Sequence, residues 1–120
     1  MRLPNAENDL IDTAKLRDYC LNPNHSKGKH KARRFREKLG LTAADDEELR
    51  RAILEAILRS EAVEQVPTPF GRRFTVDFEA SRSEGEGFII STALVRTAWI
   101  IRNGEDFPRL TSCYTPRRSA

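Results

Sequence analysis

Cysteine, histidine and long apolar runs are scarce in this chain. Its 120 residues include two cysteines and two histidines, without the repeated short spacing that is typical of a zinc site. No apolar run approaches the length that spans a membrane, and residues 1–5 hold no apolar run, which predicts no secretory signal peptide. We therefore expect a cytoplasmic protein with no membrane association, no bound metal and no other cofactor.

Other site types are also missing from the sequence. There is no glycine-rich phosphate loop with its lysine, and no carboxylate cluster that indicates a magnesium nuclease, because Asp77 and Glu79 are ordinary alternating strand residues. Cys20 and Cys113 lie in opposite halves of the chain, in apolar-patterned segments, which predicts two buried free thiols. A chain of this length buries roughly two thirds of its unfolded surface, so one domain needs no disulfide or metal to fold.

Positive charge is abundant and concentrated in one segment. The chain has 21 basic and 18 acidic residues, a net charge of +3. Residues 22–40 hold seven basic residues, one acidic residue and both histidines, His25 and His30. This segment carries +6, so the remainder carries −3. A basic stripe on a mildly acidic protein is the footprint of polyanion binding, and a solvated helix face is the ordinary alternative.

The first half of the chain has helical periodicity with clear stop signals. Pro23 ends a first helix, since proline lacks an amide proton. Gly40 is placed as a left-handed C-cap of a second helix, whose apolar stripe leaves Lys27, Arg34 and Lys38 solvated and Lys31 at its border. The predicted helices run from Asp12 to about Leu21, from a start within Ser26–Gly28 to Lys38 or Leu39, and from a capping box at Thr42 to about Ser60.

From Val63 onwards the period changes to two, which indicates antiparallel strands. Ser81 to Gly87 is a polar segment that we expect to form a loop, and Asn103-Gly104 predicts a turn. In the last strand Leu110, Ser112 and Tyr114 are expected to share one face. The predicted strands are Val63–Val66, Arg73–Glu79, Phe88–Arg102 and Arg109–Tyr114.

This order of elements predicts an α+β fold, with about three N-terminal helices packed on a C-terminal antiparallel β-meander. Residues 1–115 form the single predicted domain, and residues 116–120 are expected to be a flexible basic tail.

Several polar residues suit RNA cleavage without a metal. One group takes the 2′-hydroxyl proton, another protonates the leaving 5′-oxygen, and cations stabilise the phosphoryl group. His25, in a turn that opens the basic helix, is the main candidate acid or base. Lys31 and Arg109 are candidate phosphate-stabilising cations, and Thr111 or Tyr114 is a candidate positioning hydroxyl. The residues predicted to contact nucleic acid are Lys27, Lys29, His30, Arg34, Lys38, Arg96 and Tyr114.

Each of these candidates has a structural alternative. Arg96 would pair with Asp77 or Glu79 across the sheet, and Tyr114 would belong to the core. His30 is expected on a solvated face, which makes it a weaker candidate than His25.

An ordered string of motifs resembles a bacterial domain family of unassigned function. That family occurs as small proteins and at the C-terminal ends of polymorphic toxins and phage head-associated proteins. The segments that carry the resemblance cover nearly the whole chain: Leu3-Pro4-Asn5-Ala6-Glu7, Lys15-Leu16-Arg17-Asp18-Tyr19, Leu21-Asn22-Pro23-Asn24-His25, Gly28-Lys29-His30-Lys31-Ala32-Arg33, Phe35, Leu39-Gly40, Arg96-Thr97-Ala98-Trp99-Ile100 and Pro108-Arg109-Leu110-Thr111-Ser112-Cys113-Tyr114.

The resemblance implies a toxin effector, often encoded beside a small acidic antitoxin or immunity protein. The layout is similar to that of the barnase, EndoU, colicin and RelE-like ribonuclease toxins, which is an analogy of fold only. The predicted function is therefore a toxin domain that cleaves RNA. The alternatives are a non-catalytic nucleic-acid-binding module and an interaction domain that binds an acidic partner.

Overall fold

A computed structural model describes residues 1–84 and 88–116 of the chain. These residues form an α+β fold, in which helices in the N-terminal half precede a four-stranded antiparallel sheet, as predicted. Short 3₁₀ turns cover Ala6–Asn8 and Ala43–Asp45. The longer elements are α1 at Thr13–Lys15, which continues as a π-helical turn at Leu16–Cys20, then α2 at Lys29–Leu39, α3 at Asp46–Ile57, β1 at Ala62–Thr68, β2 at Gly71–Glu84, β3 at Phe88–Arg102 and β4 at Arg109–Tyr114.

The predicted helix ends are largely confirmed, because local hydrogen bonds define them. The Asp12 carboxylate accepts from the Ala14 amide at 2.9 Å, which satisfies a donor that has no partner within the helix. Gly40 has a left-handed φ of 65° at the end of α2, and Thr42 and Asp45 form the predicted capping box. The end of α3 differs, since the helix stops at Ile57 rather than near Ser60.

β1 and β2 are longer than the sequence pattern predicted, whereas β3 and β4 have the predicted ends. Ser81 to Glu84 belong to β2 and pair with β3, so the expected loop is wrong for these residues. The rest of that loop, residues 85–87, lies outside the described residues. β1 also continues past Pro67 to Thr68, with a register shift between Gln65 and Thr68. A proline is tolerated there because β1 is an edge strand.

A β-bulge at Thr111 sets the orientation of every side chain in the second half of β4. Ala98 pairs with Ser112, but Trp99 pairs with Leu110, so Thr111 is an extra residue opposite β3. Leu110 and Cys113 therefore both face the core and are buried. The prediction that Leu110, Ser112 and Tyr114 share one face is wrong, because a period of two does not persist through a bulge.

The core lies between the helices and one face of the sheet. Phe35 from α2, Ile53 from α3, Phe74 from β2 and Trp99 from β3 are all at most 1% exposed. Cys20 and Cys113 are free and buried, as predicted, and burial raises the pKa of both thiols. Within the described ranges, no helix is both long enough and apolar enough to cross a membrane.

Candidate functional site

Lys31 occupies a half-buried position where α2 meets the edge strand β4. Its ammonium donates to the Tyr19 hydroxyl at 3.0 Å and to the Ser112 hydroxyl at 2.9 Å. The same nitrogen lies 4.8 Å from the centre of the Tyr19 ring and 5.3 Å from the centre of the Tyr114 ring. The two rings and two hydroxyls fix the side chain in place, and none of these partners carries a negative charge.

His25 lies beside Tyr19 in the turn that leads into α2. The two rings meet edge to face, with centroids 4.8 Å apart. The Nδ1 atom accepts hydrogen bonds from the backbone amides of Lys27 at 3.0 Å and Gly28 at 2.9 Å. A proton on Nδ1 would point at these N–H groups, so the neutral ring carries its proton on Nε2. The turn thus presents His25 as a hydrogen-bond donor.

Gly28 allows the α2 turn to approach Tyr19 closely. A Cβ atom at this position would lie 2.3 Å from the Tyr19 carbonyl oxygen and 3.3 Å from a carbon of its ring. Only glycine fits such a contact without movement of the backbone. Gly28 therefore positions Tyr19 by its lack of a side chain and orients His25 through its amide.

Ser112 and Tyr114 approach Lys31 from the sheet, on the face that the Thr111 bulge assigns to them. Tyr114 pairs with Arg96 of the neighbouring strand, and Arg96 in turn makes a two-hydrogen-bond ion pair with Asp77, both bonds being 2.8 Å. The hydrogen bonds to Asp77, and to a smaller extent the Tyr114 hydroxyl, raise the pKa of Arg96. We call Tyr19, His25, Lys31, Ser112 and Tyr114 the edge cluster.

Two of the four predicted catalytic residues, Arg109 and Thr111, make no hydrogen bond to the edge cluster in the described part of the chain. Arg109 opens β4, five residues from Tyr114, and makes two hydrogen bonds to Glu105 at 2.9 and 2.7 Å. Its guanidinium also lies over the Phe107 ring, 4.9 Å from the centre. Thr111 donates to the Ala98 carbonyl at 3.1 Å. The structure therefore groups His25 and Lys31, while Arg109 and Thr111 contact other partners.

The residues predicted to contact nucleic acid follow α2 and the sheet beside it. Lys27, Lys29, His30 and Lys38 are exposed. Arg34 differs from the prediction of a solvated side chain, because it is half-buried and donates to the Thr115 and Pro116 carbonyls at 2.8 and 3.3 Å. Pro116 is the last described residue, so the rest of the predicted tail lies outside the described part of the chain.

Two neighbouring grooves lie along this flank of α2. One has a volume of about 510 Å³ and is lined by His30, Lys31 and Tyr114, among others. The next has a volume of about 540 Å³ and is lined by Lys38, Thr92 and Glu79. Both grooves share the walls formed by Arg34, Thr115 and Pro116. We call these two neighbouring grooves the channel, which extends from Lys31 and Tyr114 of the edge cluster to Lys38.

Tyr19 was not among the site residues that the sequence predicted. The hydroxyl contact with Lys31 joins residues 12 positions apart and was not visible as a periodic pattern. The one available signal was the occurrence of Tyr19 within the motifs that carry the family resemblance. Within residues 1–84 and 88–116, no group of three or more His, Cys, Asp and Glu side chains is placed to hold a metal ion.

The comparison with protein families gives one informative result. The family described as "Domain of unknown function (DUF6883)" matches residues 2–117. The chain therefore belongs to this family, which agrees with the expected resemblance to a domain family of unassigned function. No curated protein matches the chain, and no solved structure matches it.

Proposed function

We propose that this member of the DUF6883 family binds RNA along α2 and cleaves a phosphodiester bond at the edge cluster. The observation that carries the proposal is the environment of Lys31. Its ammonium is half-buried between two aromatic rings, and its protein partners in the described chain are neutral hydroxyl groups.

A half-buried ammonium without a carboxylate is costly unless an anion compensates its charge. An ammonium has three N–H donors, and Tyr19 and Ser112 accept two of them. The third donor is available to a phosphate oxygen. The Nε2–H of His25 supplies a further donor beside Tyr19, so the edge cluster offers hydrogen-bond donors to an anion.

The chemistry follows from the direction of the hydrogen bonds. Lys31 donates to the Tyr19 oxygen, so the hydroxyl proton of Tyr19 is free to point towards a ligand. In the proposed reaction, the 2′-oxygen of RNA attacks phosphorus and its proton goes to water. The bond from phosphorus to the 5′-oxygen breaks, Tyr19 protonates that oxygen, and Lys31 passes a proton to Tyr19 and regains one from solvent. The products are a 2′,3′-cyclic phosphate and a 5′-hydroxyl.

His25 has a more limited role in this scheme than the sequence predicted. For Nε2 to accept a proton, the ring proton would have to move to Nδ1, where two backbone amides already donate. We therefore assign to His25 a hydrogen bond to a non-bridging phosphate oxygen, with Lys31 stabilising the charge that develops on the phosphoryl group.

Purified protein incubated with total RNA in the presence of EDTA tests the proposal. Wild-type protein should give fragments with 2′,3′-cyclic phosphate ends, and Lys31→Ala should form them about 10²- to 10³-fold more slowly. Fragments without cyclic ends, or equal cleavage by the variant, would contradict it. If wild-type protein binds RNA in a salt-sensitive way and never cleaves it, the edge cluster is a binding site only.

A toxin role is consistent with the family resemblance, and host growth tests it. Induced expression of the wild-type chain in a bacterial cytoplasm should arrest growth, whereas Lys31→Ala should be tolerated at the same protein level. Equal growth of cells that express wild-type protein and cells that express Lys31→Ala would contradict the toxin role, and RNA binding without toxicity would remain.

The other flank of α2 favours an additional, protein partner. A groove of about 810 Å³ is lined by apolar side chains that include Leu21, Pro23 and Leu41. Its lining also has three basic side chains, Lys29, Arg33 and Arg36, and one acidic side chain, Glu37. This combination fits an acidic protein segment with apolar anchors, such as that of an antitoxin or immunity protein. Loss of partner binding in Arg36→Glu, with RNA cleavage unchanged, would assign the groove to that role.

A further inference from the structure

The channel beyond the edge cluster has a direction relative to the proposed reaction. Lys31 of α2 contacts Ser112, and Arg34, three residues later, contacts Thr115, which is also three residues later. The helix α2 and the segment Ser112–Thr115 therefore run side by side in the same direction. Lys38 lies seven residues beyond Lys31, about 10 Å along a helix axis at its usual rise.

The residues of the edge cluster differ in whether they line the channel. Tyr19 and His25 come from the segment that precedes α2 and do not belong to the lining of the groove beside Lys31, whereas Tyr114 lines that groove together with Lys31. An attacking oxygen and a leaving oxygen lie on opposite sides of phosphorus in an in-line displacement. If Tyr19 protonates the leaving 5′-oxygen, the attacking 2′-oxygen and its nucleotide lie towards Tyr114.

Resting on the proposed function, we infer that the channel holds the strand on the 5′ side of the cleaved bond. Arg34 and Lys38 contact its phosphates, and the strand on the 3′ side extends away past His25. The length of the channel accommodates about three nucleotides at the rise of ~3.4 Å per nucleotide of a stacked strand.

The charges along the channel agree with this assignment. Arg34 is held by backbone carbonyls, which fix its guanidinium and leave its charge in place. Lys38 has no carboxylate within ion-pair distance in the described residues, where the Glu37 carboxylate pairs with Arg33 instead. Two carboxylates also line the channel, Glu37 in the groove beside Lys31 and Glu79 in the groove beside Lys38. Four basic side chains outnumber them, those of Lys31, Arg33, Arg34 and Lys38, so we expect the channel to attract phosphates.

Cleavage of DNA oligonucleotides that contain a single ribonucleotide tests the direction. Only one bond can be cut, so deoxynucleotides can be added separately to either side of it. Extension by three residues on the 5′ side should raise kcat/KM about tenfold or more, the scale of one charge-assisted hydrogen bond. Extension on the 3′ side should change it less than about twofold, since we assign no cationic groove to that strand. The opposite pattern, or no effect on either side, would overturn the inference.

A charge-reversal pair on α2 provides the control. Lys38→Glu and Arg36→Glu change the net charge equally, and both residues are exposed, but Arg36 lines the groove on the other flank. Lys38→Glu should remove the gain from 5′ extension, and Arg36→Glu should preserve it. Equal effects of the two variants would show that the channel is not the strand path.

Binding measurements separate this inference from the proposed cleavage. Fluorescence anisotropy with an all-DNA oligonucleotide needs no chemical step. If no substrate is cut but Lys38→Glu weakens binding about tenfold more than Arg36→Glu, the channel is supported and the catalytic proposal fails. If the ribonucleotide substrate is cut and the two variants behave alike, the catalytic proposal stands and the channel fails.

Discussion

The two ends of β4 place a cation in opposite electrostatic settings. Arg109 at the start of the strand is neutralised by both oxygens of Glu105 and covered by Phe107. Lys31, at the other end, is held as firmly by two hydroxyls and two rings, yet none of these partners is charged. A cation is free to bind an anionic ligand when the fold fixes its position without neutralising it.

Removing the two cations one at a time tests this comparison directly. Lys31→Ala should lower RNA cleavage about 10²- to 10³-fold, the usual effect of removing one group that stabilises the transition state. Arg109→Ala should leave cleavage within about twofold of wild type, because a surface ion pair contributes little. The measurement is initial rate at matched folded fraction, checked by circular dichroism. Similar losses in both variants would remove the distinction between the two ends.

Tyr19→Phe tests whether the Tyr19 hydroxyl, which accepts a hydrogen bond from Lys31, supplies the proton in the proposed reaction. The ring and its contacts with Lys31 and His25 remain, but the hydroxyl is lost. Cleavage should fall about 10²-fold, as expected for a general acid, while oligonucleotide binding by anisotropy changes little. A variant that cleaves at the wild-type rate would show that Tyr19 does not transfer the proton.

Gly28→Ala should disturb the edge cluster by displacing the backbone next to Tyr19. The added methyl group would lie 2.3 Å from the Tyr19 carbonyl oxygen, so the turn must shift, at a cost of about 1–3 kcal/mol in unfolding free energy. Urea unfolding and cleavage should both be affected. Gly104→Ala is the control, because it has φ of 84° and no atom within 4 Å of the added Cβ. It should destabilise the fold by about 1 kcal/mol and leave cleavage unchanged.

His25→Ala should have a smaller effect than Tyr19→Phe, since it removes one hydrogen-bond donor and no transferred proton. Cleavage should fall about tenfold, and the pH dependence of kcat should keep its wild-type shape. A change in that shape between the two proteins would restore His25 to the acid or base role that the sequence suggested.

The smallest expected effect concerns Glu105, which pairs with Arg109 at the start of β4. The hydrogen bonds from Arg109 lower the pKa of Glu105, so the ionised carboxylate is favoured in the folded state. This contribution to stability is present above the ordinary pKa of glutamate and is lost as the pH falls through the lowered value. Glu105→Gln should therefore reduce the acid sensitivity of thermal unfolding slightly and leave RNA cleavage unchanged. Greater acid sensitivity in the variant would contradict the pairing.

Local patterns predicted the fold class and the ends of α2 because each depends on neighbours in the sequence. Gly40 takes the left-handed conformation that favours glycine, and Thr42 and Asp45 are close enough to cap each other. The extension of β2 to Glu84 was missed because polar residues without alternation still pair when the partner strand continues. Two of the predicted catalytic residues, His25 and Lys31, meet in one cluster, since both lie where an irregular turn enters a basic helix.

The remaining site residues depended on contacts between distant segments. Thr111 introduces a bulge that reverses the faces of Leu110 and Ser112, and such a bulge has no signature in the alternation of a short strand. Tyr19, Ser112 and Lys31 meet only when α2 packs against the edge of the sheet.

By itself, the sequence determined that this protein has a basic helix with defined ends, a histidine at its entrance and an antiparallel sheet behind it. Those features follow from composition, capping and periodicity, which act over a few residues. Only the tertiary structure decided which cations are neutralised, because ion pairing depends on the partner that packing brings near. That choice separates Lys31 from Arg109, and it locates the proposed site at one end of β4.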